Sequence, residues 1–88
     1  MNLEISRAFV RDVELMPVHV KRMVLAVIQE IREAKTPYHI NDCSKLKGAE
    51  DLFRIRMGNY RITFEYSESS VILKRALPRG KIYKKHNR

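Results

Sequence analysis

The residues best equipped for chemistry in this 88-residue chain are arginines set close together in Leu52–Tyr66, which reads LFRIRMGNYRITFEY. Arg54, Arg56 and Arg61 each offer a planar fork of N–H donors that matches the oxygens of a phosphate or carboxylate. A second basic concentration closes the chain, with Lys74, Arg75, Arg79, Lys81, Lys84, Lys85 and Arg88, no acid among them, and Tyr83 and His86 interspersed. That tail reads either as a disordered basic arm or as an ordered segment that carries chemistry, and composition alone favours the arm. Lys45 and Lys47 stand just upstream of the arginines. His39, Asp42 and Cys43 are potential metal ligands by type, but their spacing matches no standard site and no second cluster exists, so no metal and no cofactor are expected. Cys43 has no identifiable base beside it and ranks lower still as a nucleophile.

The charge distribution sharpens this reading. The net charge is +8 and the isoelectric point is near 10.0. Residues 1–44 carry six Lys/Arg and six Asp/Glu, net 0, whereas residues 45–88 carry twelve and four, net +8. A solubilising surface spreads its charge over both halves. An excess confined to one half suits a polyanion-binding surface, nucleic acid first and acidic protein second. The single cysteine, Cys43, excludes an internal disulfide and fits a reducing cytoplasm. No signal peptide is visible, and the longest apolar run, Met23–Ile28, is far short of the about 20 residues that a membrane helix needs, so no membrane partner is expected.

Elements must place the arginines. Two alternating runs meet at Gly58-Asn59, a dipeptide suited to the positive φ angles of a two-residue hairpin. With that turn, Met57 faces Tyr60, and the pairs continue as Arg56/Arg61, Ile55/Ile62, Arg54/Thr63 and Phe53/Phe64. One face then collects Phe53, Ile55, Met57, Tyr60, Ile62 and Phe64, while the other collects Arg54, Arg56, Arg61, Thr63 and Glu65. The register sets Arg56 against Arg61, a like-charge pair costing some tenths of a kcal/mol within the ~0.2–1 range of cross-strand pairs, so an anion belongs there.

Upstream, Asn2–Ser6 alternates as a short strand, and Ser6 can cap a helix over about residues 7–15. Pro17 suits the first turn of a second helix reaching about Ala34, with Val20, Val24, Val27 and Ile31 on its apolar face. Residues 35–51 lack periodicity and contain Pro37, Asn41, Asp42 and Gly48, so they read as a loop. After the hairpin, Glu68-Ser69-Ser70 turns into a third meander strand over residues 71–77. The fold class is α+β: two N-terminal antiparallel helices on one face of a small, mainly antiparallel four-stranded sheet, ordered β-α-α-β-β-β, with a basic C-terminal segment. All 88 residues form one domain.

Certain residues also carry a family resemblance. Lys45-Leu46-Lys47-Gly48, Leu52-Phe53-Arg54-Ile55-Arg56, Gly58-Asn59-Tyr60-Arg61-Ile62 and Pro78-Arg79-Gly80-Lys81-Ile82-Tyr83 resemble the RelE/ParE superfamily of type II toxins, over nearly the whole chain. Within it the chain looks more like the RelE branch, which cleaves messenger RNA in the ribosomal A site, than the ParE branch, which poisons DNA gyrase. The resemblance implies a cognate antitoxin that wraps the toxin, with operator DNA contacted only through that complex. Positions matching the branch's catalytic set are Arg54, Arg56, Arg61, Arg79 and Tyr83. The branch has lysines where this chain has Arg54 and Arg56, and a guanidinium is a poor general base. Some relatives place a Glu base before the hairpin, near Ser44 and Lys45 here, and use a C-terminal His-Tyr pair, for which this chain has Tyr83 and His86.

The chemistry so implied is metal-free transesterification of RNA. Arg54, Arg56, Arg61 and Arg79 would stabilise the phosphorane. Tyr83 is the first choice for proton transfer, since surrounding cations lower a phenol's pKa from about 10. His86, with an ordinary pKa near 6.5, is its rival. Lys45, Lys47, Lys74, Arg75, Lys81, Lys84 and Lys85 would hold RNA backbone. Two other classes compete: a gyrase-binding toxin without nuclease activity, and a plain RNA-binding module, which would normally display aromatic stacking platforms.

Overall fold

The computed structural model describes residues 1–81. In chain order the elements are β1 (Asn2–Ile5), α1 (Arg7–Glu14), α2 (Val18–Glu33), a 3-10 turn at Pro37–His39, β2 (Cys43–Lys45), β3 (Leu52–Met57), β4 (Tyr60–Ser67) and β5 (Ser70–Pro78). The sheet order is β1-β5-β4-β3-β2. β1 runs parallel to β5, and every other pairing is antiparallel.

The helix ends follow from local chemistry. Ser6 Oγ accepts the Phe9 amide at 3.1 Å and donates to the Lys74 carbonyl at 3.0 Å, so the cap of α1 is also a tether to β5. Pro17 is the N-cap of α2 rather than a residue of its first turn, and its carbonyl accepts the Val20 and Lys21 amides. At the other end the Met1 ammonium donates to the carbonyls of Arg32 and Ala34, which neutralises the negative end of α2.

The hairpin register is the one that alternation and turn require, with Phe53 opposite Phe64, Ile55 opposite Ile62 and Arg56 opposite Arg61. Gly58 alone of the two turn residues takes a positive φ, +58°. Phe53, Ile55, Met57, Ile62 and Phe64 share one core with Val20, Val24 and Ile31, against which Val27 and Tyr60 are partly buried. Phe53 stacks on Phe64, ring centres 5.4 Å apart, adding attraction beyond the area the rings bury.

Two features differ from the sequence expectation. First, residues 35–51 are not all loop: Pro37 is buried in the 3-10 turn, and β2 pairs with β3, making five strands among the described residues instead of four. Three residues are too few to show alternation, and their order comes from backbone pairing with β3. Second, a β-bulge sits in β5. Phe64 pairs with Leu73 but Thr63 pairs with Arg75, so Lys74 is the extra residue. Unbroken alternation would bring Arg75 onto the core face after Val71 and Leu73. The inserted residue gives that place to Ala76, which is buried.

Outside the sheet, α1 and α2 leave an apolar groove of about 350 Å³, with Val13 and Ile28 in its lining and Ile5, Val10 and Leu25 exposed along it. Lys21 and Glu14 line the same groove. Among the described residues no helix is long and apolar enough to cross a membrane.

Candidate nucleic-acid interface

Cross-strand neighbours point to the same side of a sheet. The pairing therefore lays Ser44, Arg54 and Thr63 in one row across the face turned away from the helices, with Arg56 and Arg61 in the next. Beside these rows lies a cleft of about 340 Å³ lined by Arg54, Arg56, Arg61 and Arg79. Among the described residues its lining contains no acidic side chain.

The arginines are positioned by the hairpin itself. Arg61 Nη1 donates to the Gly58 carbonyl at 2.7 Å and to the Tyr60 carbonyl at 2.8 Å, which turns its guanidinium back over the turn. The backbone amide of Arg79 donates to the Asn59 carbonyl at 2.8 Å, and Lys81 closes the following turn by donating to the Pro78 carbonyl. Arg79 is thereby held beside the hairpin tip. Arg54 Nη2 donates to Ser44 Oγ at 2.8 Å, a contact that exists because β2 is a strand. With one fork orientation fixed in advance, less side-chain entropy is lost when an anion arrives.

The remaining expected residues are distributed differently. Lys45 pairs with Phe53 and so lies by register on the opposite face from Arg54. Lys45 and Lys47 line a separate open cavity of about 700 Å³ in the loop over residues 45–50. Lys74 makes an ion pair with Glu65 at 3.3 Å. Arg75 is bound bidentately by Asp12, Nε to Oδ2 at 2.8 Å and Nη2 to Oδ1 at 2.9 Å, and Asp12 Oδ2 also accepts the Ala76 amide at 2.9 Å. Asp12 thus satisfies the edge of β5 beyond the end of β1. Its hydrogen bond holds the Arg75 pKa above the ordinary arginine value, against the opposing effect of desolvation. Lys81 is exposed. Tyr83, Lys84, Lys85 and His86 lie outside the described residues.

Sequence reasoning noted Ser44 only as a neighbour of a family position and gave it no role. The signal that would have found it is its place two residues before Leu46 on a strand facing Arg54, which needs β2 to be known. Cys43, half-buried on the same strand, has its thiol pKa pushed up from 9.0 to about 11, chiefly by burial, with Glu30 adding and Arg54 opposing. His39 shares a 2.9 Å hydrogen bond with Thr36. Among the described residues no three His, Cys, Asp or Glu side chains come together as a metal site.

What the arrangement can do is bind and polarise an anion with several oxygens, through charge-assisted donors on a rigid sheet. No protein-family model matches the chain. It is 32% identical over 84 residues to Toxin RelE3 of Methanocaldococcus jannaschii, spanning 94% of this chain and 96% of that protein. A chain of the RelB–RelE antitoxin–toxin complex from Methanococcus jannaschii superposes with a TM-score of 0.79 at 30% identity, covering 94% of this chain and 98% of that one. A chain of the archaeal RelE–RelB complex from Pyrococcus horikoshii gives 0.73 at 24% identity, with 91% and 96% covered. The isolated E. coli RelE toxin gives 0.66 at 13% identity, with 96% and 92% covered, and this last pair of likenesses is one of fold. Because the identity to the M. jannaschii toxin extends over nearly the full length of both chains, this chain belongs to the RelE toxin family.

Proposed function

We propose that this chain is an endoribonuclease that cuts messenger RNA on the translating ribosome, in the cytoplasm, and is held inactive by a cognate antitoxin. The observation that carries the reading is the cleft lined by Arg54, Arg56, Arg61 and Arg79 with no acid among them. Family membership supports it.

In the reaction the ribose 2′-oxygen attacks the adjacent phosphorus, the P–O5′ bond breaks, and a 2′,3′-cyclic phosphate and a 5′-hydroxyl result. The proton leaving the 2′-oxygen goes to a base, and the departing 5′-oxygen takes one from an acid. Arg61 and Arg54 meet the charge that gathers on the non-bridging oxygens, where a preset donor is worth more than a solvating water. Arg56 and Arg79, both exposed, engage the flanking phosphates. Neither arginine nor a lysine on the far face supplies the proton transfer, which falls to Tyr83 or His86. Primer extension on a translated message with Tyr83→Phe and His86→Ala assigns it: loss of an acid or base costs ~10²–10⁴ in rate. A gyrase poison would stay toxic in both variants and leave messages whole, and an RNA-binding module would bind without cutting.

The antitoxin reading rests on the complexes in which the structural neighbours were solved with RelB, on the arginine-lined cleft and on the apolar groove between α1 and α2. An acidic segment over Arg54, Arg56 and Arg61 would mask the cleft, and an apolar one in the groove would add burial to a small core. Arg56→Glu is expected to weaken the antitoxin, and wild-type affinity to fall with salt. Affinity insensitive to both changes would confine the antitoxin to an apolar surface elsewhere.

A further inference from the structure

We propose that Ser44 is a positioning residue of the arginine cleft, acting through Arg54 on a bound phosphate of single-stranded RNA. The proposal rests on the RNA reading above and adds a residue to it.

Three observations carry it. Ser44 stands opposite Arg54 in the β2–β3 register, on the face that bears Arg56 and Arg61. Its Oγ accepts Arg54 Nη2 at 2.8 Å, so one edge of that guanidinium has a fixed direction. Ser44 is exposed and belongs to an edge strand of three residues, where a hydroxyl contributes little to the core. A serine with a purely structural role would be expected to hold backbone, as Ser6 does for α1. Ser44 instead holds a cation that lines the cleft. A long arginine side chain loses much rotamer freedom when it is pinned on binding, and a prior hydrogen bond removes part of that cost.

The test is a double-mutant cycle over wild type, Ser44→Ala, Arg54→Ala and the double variant, with Ser44→Thr as the conservative control. The readout is affinity for a single-stranded 2′-O-methyl RNA oligonucleotide, which cannot be cut, at several salt concentrations, with circular dichroism reporting the fold. Ser44→Ala is expected to weaken binding by about threefold to tenfold, the cost of immobilising one rotamer-rich side chain on binding. Ser44→Thr should bind within about twofold of wild type, and Ser44→Ala should have no further effect once Arg54 is alanine. The salt slope should also fall with Ser44→Ala, towards the loss of about 0.7 per phosphate contact expected for Arg54→Ala on single strands. Wild-type affinity in Ser44→Ala, or an equal loss in both Arg54 backgrounds, overturns the proposal. Cleavage is scored separately. A wild type that binds the oligonucleotide and leaves messages whole defeats the nuclease reading without touching Ser44, and one with no affinity at low salt defeats both.

Discussion

The backbone amide of Arg79 donates to the carbonyl oxygen of Asn59 at 2.8 Å, joining the end of β5 to the tip of the β3–β4 hairpin. The same turn accepts Arg61 Nη1 through the Gly58 carbonyl. Two arginines separated by 18 positions are thus brought to one cleft by a two-residue turn, whose backbone shape depends on Gly58 at φ +58°.

Gly58→Ala tests that dependence. A Cβ there would meet Met23 Cε at 3.6 Å, an ordinary contact, so the penalty is conformational rather than steric. A left-handed alanine costs about 1–2 kcal/mol, and stability in a urea titration should fall by that amount. RNA affinity should fall as well, because a relaxed turn misplaces the carbonyls that hold Arg61 and Arg79. Loss of stability with unchanged affinity would separate the turn from the cleft.

Asp12→Asn distinguishes a structural Arg75 from an RNA contact. Asp12 has only 8% of its side chain exposed, and it binds both Arg75 and the Ala76 amide. Removing its charge should cost about 1.5–3 kcal/mol, as hydrogen bonds to charged groups do. Oligonucleotide affinity should stay within about twofold, since the Arg75 guanidinium lies on Asp12 and outside the cleft lining. A large change in affinity at normal stability would return Arg75 to the binding set.

The hairpin was legible in the sequence because two independent signals agree on it. Gly58 fixes the turn, and the alternation from Phe53 to Phe64 leaves one register that does not mix faces. The helices were legible for a similar reason, with Ser6 and Pro17 marking starts and the 20, 24, 27, 31 spacing marking a face. β2 was hidden because three residues carry no period of their own. The bulge at Lys74 was hidden because a single inserted residue looks like any other charged position in a strand. Ser44 and Asp12 followed from those two gaps, since Ser44 meets Arg54 through the β2–β3 register and Asp12 meets Arg75 and Ala76 just after the bulge. Counting charge located the basic half correctly, but it could not show that Glu65 and Asp12 engage Lys74 and Arg75.

Cys43 gives a pH-dependent readout of strand β2. With its thiol pushed up to about 11, alkylation by iodoacetamide should be slow at pH 8 and keep rising past 9.0, where an unperturbed thiol levels off. The sign for stability follows. The unfolded chain releases the thiol proton first, so stability is unaffected below pH 9.0 and declines as pH rises towards about 11. Fast alkylation that levels off near 9 would mean that β2 does not bury this side chain.

Whether the arginine cleft stabilises the transition state of RNA cleavage is decided by primer extension on a translated message with wild type and Arg61→Ala. Arg61→Ala should remain folded, because its side chain donates to the turn carbonyls of Gly58 and Tyr60 and lies off the core. Wild type should leave discrete message ends within the translated region, and the variant should cut ~10²–10³ more slowly, as expected when one electrostatic donor is lost. Equal cleavage by both proteins, or no cleavage by wild type on actively translating ribosomes, would contradict the assignment.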